Sequence, residues 1–236
     1  MKVVILCGGL GTRISEETKI KPKPMVKIGR MPILEHLIQY YHKYGFNNFI
    51  LALGYKSEVI KKYFKDKKYK NINIELVETG KNTLTGGRLL KLKKYLANNE
   101  NFMLTYGDGL SNINLSKLKK FHEKNNKIAT ITAVRPPVRF GELILNKKNK
   151  VLSFKEKPQA SKNWINGGFF VFKNEIFKYL KNNNTILEKE PMQLLSKNGE
   201  LIAYKHLNFW QCMDTLRDKV LLNKIWMSGK APWKIY

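Results

Sequence analysis

The sequence contains few cysteines and no long hydrophobic run. Two cysteines among 236 residues, Cys7 and Cys212, are too few for a disulfide-stabilised scaffold. No apolar stretch approaches the roughly 18 residues that a membrane-spanning helix needs. The apolar residues that follow Met1 are interrupted by glycines and by Arg13 too early for a signal peptide. We therefore expect a cytoplasmic protein that does not bind a membrane.

Acidic residues are also scarce, since 18 Asp and Glu stand against 44 Lys and Arg and leave a net charge of +26. A nucleic-acid partner is one interpretation, because clustered cations neutralise phosphates. The lysines fall on several separate predicted helices and turns, with no aromatic-arginine motif beside them. We expect no nucleic-acid partner, although a non-catalytic nucleotide- or nucleic-acid-binding module stays open as an alternative. The excess charge favours anionic substrates through its long-range field.

The hydrophobic content of 43% indicates a folded chain, and its apolar pattern alternates between strands and helices. Strands are predicted at 2–7, 49–54, 72–77, 101–109 and 127–134, and helices at 32–45, 58–64, 86–98 and 114–125. This alternation predicts an α/β fold with a parallel sheet and helices on both faces. After residue 136 the pattern is mixed, with strands at 142–145, 151–157, 166–173 and 201–206 and helices at 175–180, 191–199 and 215–229. We expect a single domain over 1–236.

A glycine-rich turn follows the first predicted strand and ends at Arg13. It is not a Walker A motif, because the Gly-Lys-Ser/Thr ending is missing. It is not the dinucleotide motif either, since the third glycine would fall at Ile14. Gly8, Gly9 and Gly11 are expected to let backbone N–H groups face phosphate oxygens, and Arg13 offers a bidentate fork. The turn predicts a site for a phosphorylated nucleotide.

A second basic segment, Lys21-Pro22-Lys23-Pro24, lies close to the glycine turn in sequence. Its prolines disfavour helix and predict an extended segment that fixes where the lysines point. Two ammonium groups held in this way suit a triphosphate. On its own the segment is equally typical of a basic surface turn.

Two aspartates complete the set of candidate residues. Asp108 follows a predicted strand in the sequence Tyr-Gly-Asp-Gly, and Asp214 precedes the last predicted helix. Two carboxylates suit Mg²⁺, which keeps several waters and shares phosphate oxygens. The simpler alternatives are a turn aspartate at Asp108 and a helix cap at Asp214.

The glycine turn CGGLGTR followed by KPKPM resembles the signature of the sugar-phosphate nucleotidyltransferases. The resemblance runs almost end to end, and its later segments point to the branch that joins CTP and glucose 1-phosphate. The segments that carry it are ISEETKIKPKPMVKIG, LTGGRL, TYGDG, RFGEL, FKEKP, INGGFFVF, FWQCMDTLRDK and GKAPWK. The resemblance implies a Rossmann-like mixed, mainly parallel sheet, and transfer of a cytidylyl group from CTP with Mg²⁺. It also implies a homo-oligomer, with residues 1–135 binding the nucleotide and 136–236 the sugar phosphate.

The resemblance also implies roles for individual residues. The catalytic residues are Arg13, Lys23, Asp108, Lys157 and Asp214, and the metal ligands among them are Asp108 and Asp214. The nucleotide-binding residues are Leu6, Gly8, Gly9, Gly11, Thr12, Arg13, Lys23, Thr83, Arg88 and Gly107. Thr83 and Arg88 are the candidates for recognition of the base, while Thr85 in the same segment is typical of a helix N-cap. The sugar-phosphate-binding residues are Gly141, Glu156, Lys157, Asn166 and Gly167.

The chain departs from this branch in two ways. Its relatives carry a longer segment between the helix ending at Phe64 and Thr79, so another NTP or another phosphorylated acceptor stays open as an alternative. Cys7 and Cys212 replace residue types that are more usual beside the nucleotide. We interpret both cysteines as small buried apolar groups.

Overall fold

The computed structural model of the protein describes residues 1–65, 67, 69–97, 100–136, 142–155 and 163–236. The strands are β1 (Lys2–Leu6), β2 (Lys27–Ile28), β3 (Met31–Pro32), β4 (Asn48–Leu53), β5 (Asn73–Glu78), β6 (Asn101–Tyr106), β7 (Gly109–Ser111), β8 (Ala129–Val134), β9 (Glu142–Leu145), β10 (Val151–Lys155), β11 (Ile165–Lys173), β12 (Leu201–His206) and β13 (Trp210–Cys212).

The α-helices are α1 (Ser15–Thr18), α2 (Ile33–Lys43), α3 (Ser57–Lys65), α4 (Thr85–Lys91), α5 (Lys93–Leu96), α6 (Leu115–Asn125), α7 (Glu190–Lys197) and α8 (Leu216–Met227). The 3-10 helices cover Thr12–Ile14, Lys23–Met25 and Asn174–Tyr179. None of the helices among the described residues is both long and apolar enough to span a membrane.

A seven-stranded sheet in the order β12-β8-β11-β6-β1-β4-β5 forms the centre of the fold. Strands β6, β1, β4 and β5 are parallel to one another, and β12 is parallel to β8. Only β11, among the strands of this sheet, runs antiparallel to both of its neighbours. The predicted mixed, mainly parallel sheet is confirmed, and both halves of the chain contribute strands to it.

Helices cover both faces of the sheet, and alternate residues of β1 show why. Val3 and Ile5 point into a core that includes side chains of α2, α3, α6 and α8. Val4 and Leu6 point to the opposite core, which includes side chains of α4, α5 and α7. A strand with both faces covered needs a continuous apolar run, and this is the pattern of the N-terminal segment.

The structure differs from the predicted elements in several places. The helix predicted at 175–180 is the 3-10 helix Asn174–Tyr179, and the helix predicted at 86–98 is divided between α4 and α5. The short pairs β2–β3 and β7–β13 were not predicted. Strands of two or three residues are too short to show an alternating pattern, so periodicity does not detect them.

The parallel strands bring two predicted motifs to one edge of the sheet. Leu6 at the end of β1 is in register with Tyr106 at the end of β6. The Gly107 N–H donates to the Leu6 carbonyl oxygen at 3.1 Å. The glycine turn and the Gly-Asp-Gly turn therefore meet beyond the carboxyl ends of the strands, where ligands bind in sheets of this kind.

Candidate active site

A cavity of about 810 Å³ opens at this edge of the sheet. Its size falls within the range of small-molecule sites. Every predicted site residue that the structure describes lines it: Leu6, Gly8, Gly9, Gly11, Thr12, Arg13, Lys23, Thr83, Arg88, Gly107, Asp108, Asn166, Gly167 and Asp214. The other three predicted residues, Gly141, Glu156 and Lys157, lie outside the described residues.

The glycines of the turn serve different purposes. Gly11 has a φ of 66°, in the left-handed region, and a side chain there would also meet Thr18 Cγ2 at 2.7 Å. At Gly9 a side chain would meet nothing within 4 Å, so the backbone borders open space. Gly8 instead faces the guanidinium of Arg88, which a β-carbon would approach to 2.1 Å. Glycine is therefore needed at position 8 to leave room for the Arg88 side chain.

Arg88, predicted to recognise the base, binds the protein itself. It is buried, and its Nη1 donates to the Leu53 carbonyl at 3.1 Å, Thr79 Oγ1 at 2.7 Å and the Gly80 carbonyl at 2.8 Å. Its Nη2 donates to the carbonyls of Gly8 at 2.8 Å and Lys81 at 3.3 Å. Arg88 thus joins the glycine turn, the end of β4 and the 79–81 turn. Its role toward the base stays a prediction.

The segment around Arg88 is held by the second half of the chain. The N–H groups of Gly86 and Gly87 donate to the Thr185 carbonyl at 2.9 and 3.1 Å. A side chain at Gly87 would meet the Asn183 carbonyl oxygen at 2.3 Å. The glycine pair is needed because another backbone approaches the start of α4. Leu84 rather than Thr85 occupies the N-cap of this helix.

Lys23 enters the cavity from a rigid turn. Pro22 is extended, as predicted, but residues 23–25 form a 3-10 helix, so the prediction of a fully extended segment is wrong there. The Met25 N–H donates to the Pro22 carbonyl at 2.8 Å and closes this turn. Lys21 points elsewhere and pairs with Glu17 at 2.9 Å. Of the two lysines in the motif, only Lys23 lines the cavity.

Asp108 and Asp214 are brought together by a strand pair that the sequence did not reveal. Asp108 immediately precedes β7, and Asp214 lies two residues after β13, which pairs with β7 in antiparallel fashion. The Met213 N–H donates to the Asp108 carbonyl at 2.8 Å. Thr215, not Asp214, caps α8 and forms a capping box with Asp218. The Asp214 carboxylate is therefore free to face the cavity.

The Lys23 ammonium lies between the two carboxylates. Its Nζ is 2.6 Å from Asp108 Oδ2 and 2.6 Å from Asp214 Oδ1. Arg13 Nη1 contacts the other oxygen of Asp214 at 2.8 Å. Burial alone would raise the pKa of Asp214, but the neighbouring Lys23 and Arg13 outweigh it and lower this pKa. Burial alone would lower the pKa of Lys23, and the two carboxylates raise it. Lys23 and Asp214 are therefore both charged at neutral pH.

The two carboxylates fit a divalent cation. Both oxygens contact one nitrogen at 2.6 Å, so they are at most twice that distance apart and can share a single ion. The described residues contain no cluster of three or more His, Cys, Asp or Glu placed to hold a metal. Mg²⁺ is commonly held by one or two carboxylates together with substrate phosphates, so the pair suits it better than a metal that needs a full protein cage.

The other side of the cavity is formed by β11 and β13. Asn166 Oδ1 accepts the Gly168 N–H at 2.8 Å, which fixes the asparagine beside Gly167. A side chain at Gly167 would meet Val134 Cγ1 at 2.7 Å. Trp210 Nε1 donates to the Gly167 carbonyl at 2.7 Å and holds this backbone against β13.

Sequence reasoning missed a contact at the rim between the two sides. The Tyr106 hydroxyl and Thr85 Oγ1 both donate to the carboxylate of Glu188, the latter at 2.6 Å. Burial and Glu188 raise the pKa of Tyr106, so the hydroxyl stays protonated. Tyr106, Thr85, Trp210 and Arg217 also line the cavity. No motif marks Glu188, because its partners are 82 and 103 residues away in sequence.

Both cysteines line the cavity, and they are free thiols. Cys7 is fully buried, as predicted, whereas Cys212 is half-buried. Burial raises the pKa of both thiols, and for Cys212 to about 12. A protonated thiol is a weak nucleophile, so the cysteines act here as small packing groups.

Residues 2–214 match the family model described as nucleotidyl transferase. The chain belongs to the nucleotidyl transferase family. The matched range contains the glycine turn, Lys23 and both carboxylates.

Two curated relatives are similar to the chain in sequence, and one solved structure shares its fold. It is 44% identical over 257 aligned positions to a glucose-1-phosphate cytidylyltransferase of Salmonella typhimurium, with 100% of both chains covered. It is 38% identical to a D-glycero-alpha-D-manno-heptose 1-phosphate guanylyltransferase of Campylobacter jejuni, over 75% of this chain and 78% of the relative. A UDP-glucose pyrophosphorylase complexed with UDP-glucose shares the fold, with a TM-score of 0.75, 17% identity, and coverage of 97% and 98%.

The alignment with the Salmonella enzyme also shows a difference in length. Its 257 positions exceed the 236 residues of this chain by 21, so the relative has residues without a counterpart here. That these residues belong to a longer segment between the counterparts of Phe64 and Thr79 stays a prediction.

Proposed function

We propose that the protein transfers a cytidylyl group from CTP to glucose 1-phosphate and releases CDP-glucose and pyrophosphate, with Mg²⁺ as cofactor. The observation that carries the proposal is the meeting of Lys23, Asp108 and Asp214 beside the glycine turn in one cavity. Full-length identity of 44% to a glucose-1-phosphate cytidylyltransferase supports the choice of substrates.

The chemistry is an in-line displacement at the α-phosphorus. An oxygen of the sugar phosphate forms a bond to that phosphorus, and the bond to the bridging oxygen of pyrophosphate breaks. Such transfers need no protein nucleophile, because positioning and charge stabilisation carry most of the catalysis. A bound Mg²⁺ supplies Lewis-acid stabilisation of the phosphate charge. Asp108 and Asp214 are the residues that would hold it.

The remaining residues bind and orient the substrates. Arg13 and Lys23 hold the β- and γ-phosphates, and the open backbone at Gly9 lets phosphate oxygens approach. Asn166 and Gly167 border the acceptor sugar, while Lys157 holds the attacking phosphate. Thr83, which is buried at the cavity wall, contributes to selection of the base.

Assembly and location are part of the same proposal. Apolar side chains of the β9–β10 hairpin are exposed, among them Leu143 at 54%, Leu152 at 61% and Phe154 at 61%. A two-stranded sheet is marginally stable alone, so contact with a second copy would protect it and form a homo-oligomer. The two free cysteines suit the reducing cytoplasm. Light scattering of the purified protein measures the oligomer directly.

A pyrophosphate-release assay tests the function. The enzyme is incubated with each of the four NTPs and with several sugar 1-phosphates, and CTP with glucose 1-phosphate is expected to give the highest kcat/KM. Asp108→Asn is expected to abolish turnover with an unchanged circular dichroism spectrum, while the exposed Glu123→Gln serves as a control. Preference for another NTP would overturn the substrate assignment, and full activity of Asp108→Asn would overturn the metal assignment.

A further inference from the structure

Lys23 holds the position that a cation shared by Asp108 and Asp214 would take. Its Nζ is 2.6 Å from an oxygen of each carboxylate, and its side chain is only 11% exposed. The lysine was predicted to bind phosphate, yet here it contacts the two carboxylates. An ammonium and a divalent ion cannot occupy the same space between the same two oxygens.

The lysine can leave this position only by rotating its side chain. Its backbone is fixed by Pro22 and by the 3-10 helix Lys23–Met25, which contains Pro24. Pro24 also packs beside Gly107, where an added β-carbon would meet Pro24 Cγ at 2.9 Å. The stem of Lys23 runs next to Gly11, since a β-carbon there would be 3.2 Å from Lys23 Cβ. The stem therefore leaves the ammonium within reach of both the carboxylates and the phosphate-facing turn.

The charges favour movement only when a nucleotide is present. Lys23 and Arg13 neutralise Asp108 and Asp214, so the four groups together carry no net charge. A divalent ion arriving alone would meet two cations already bound to its ligands. A triphosphate provides strong acceptors for both cations, and Arg13 is free to follow because its side chain is 72% exposed.

We propose that Lys23 and the divalent ion are alternative partners of the Asp108–Asp214 pair, and that the ion enters as Lys23 moves to the phosphates of the nucleotide. The inference rests on the proposed function, since it assumes that this cavity takes a nucleotide with its metal. It makes metal and nucleotide bind cooperatively, because each removes an obstacle to the other. The free enzyme then binds divalent ions weakly.

Metal binding to the full chain without nucleotide tests the proposal. Free Mn²⁺ is measured by electron paramagnetic resonance during titration of the wild type, of Lys23→Met and of Lys27→Met. Lys27 is exposed, so its substitution removes the same charge away from the carboxylates. We expect Lys23→Met to bind Mn²⁺ at least about tenfold more tightly than the wild type, because a unit charge a few ångströms from the ion is removed. Lys27→Met should change the affinity less than about twofold.

Two further variants keep the result interpretable. Adding Asp108→Asn to Lys23→Met should abolish the gain and so locate the ion at the carboxylate pair. If Lys23→Met does not fold, Lys23→Gln removes the charge and keeps a polar head group for the same titration. A Lys23 variant that binds Mn²⁺ no more tightly than the wild type overturns the proposal. Because the readout needs no turnover, failure of this inference is distinguishable from inactivity with every NTP, which would overturn the proposed function.

Discussion

Replacing Arg88 by lysine distinguishes two possible roles of this residue. One is to brace the backbone around the glycine turn, and the other is to contact the base of the nucleotide. The guanidinium donates to five acceptors through two nitrogens that point to different parts of the backbone. A lysine has a single nitrogen, so Arg88→Lys keeps at most the contacts of one side. The variant still carries a positive charge, and its effect therefore reports on the lost geometry.

The smaller loss arises if the lysine keeps the contacts of Nη1 and gives up those of Nη2. The acceptors that then lose a hydrogen bond are the carbonyls of Gly8 and Lys81. An acceptor left without a buried donor costs about 1–3 kcal/mol, so two would give about 2–6 kcal/mol. The Gly8 carbonyl, however, keeps the Tyr55 N–H as a donor at 3.3 Å. The contact to Lys81 is long, at 3.3 Å, and part-buried, which puts the expectation in the lower half of that range. We expect Arg88→Lys to lower the free energy of unfolding by about 2–4 kcal/mol.

Urea unfolding followed by tryptophan fluorescence measures this change, and the chain has four tryptophans. Arg30→Lys is the matched control, because Arg30 is exposed and its substitution should stay within about 0.5 kcal/mol. Nucleotide preference is measured on both variants. Arg88→Lys with unchanged stability and an altered choice of NTP would refute the bracing role and favour direct contact with the base.

Three further predictions concern the same cavity. Gly8→Ala should destabilise the wild type by about 1–3 kcal/mol, because the added methyl group overpacks against the Arg88 guanidinium. In an Arg88→Met background the same substitution should cost much less, so urea unfolding of the single and double variants should show non-additive effects. Glu188→Gln should raise the KM for glucose 1-phosphate several-fold with a smaller change in kcat, because Tyr106 and Thr85 each donate to one of its two oxygens. Glu190→Gln is the control: it loses only an exposed ion pair with Lys181 and should leave this KM unchanged. Since Lys23 and Arg13 outweigh burial and lower the pKa of Asp214 below its usual 3.8, the carboxylate stabilises the fold above that pH and loses this contribution as the pH falls below about 4. Acid unfolding of Asp214→Asn should therefore begin less steeply, and identical acid curves would contradict the ion pairs.

The fold was readable from sequence where periodicity is strong. The apolar run of β1 predicted a strand covered on both faces, and the two cores on either side of Val4 and Ile5 agree with it. Prediction was weaker for short elements. The pair β7–β13 spans three residues in each strand and joins segments about a hundred residues apart, so no local sequence pattern indicates it.

The cavity residues were likewise predictable only where a short motif marks them. The glycine turn, Lys23, Asp108 and Asp214 were identified by residue type and motif, and the structure brings them together. Glu188 was not identified, because an acidic residue in a segment without a motif gives no local signal. Arg88 was identified, but its partners were not, since four backbone carbonyls leave no trace in the sequence.

The sequence by itself determined the kinds of groups available: glycines that admit phosphate, cations that bind it and two carboxylates that suit a metal ion. These depend on side-chain chemistry and on local backbone freedom, which a short motif records. Only the tertiary structure decided which groups meet. It places the Lys23 ammonium between Asp108 and Asp214, and it packs the Arg88 guanidinium against Gly8. Contacts of this kind depend on how distant segments approach one another, and no single stretch of sequence contains that information.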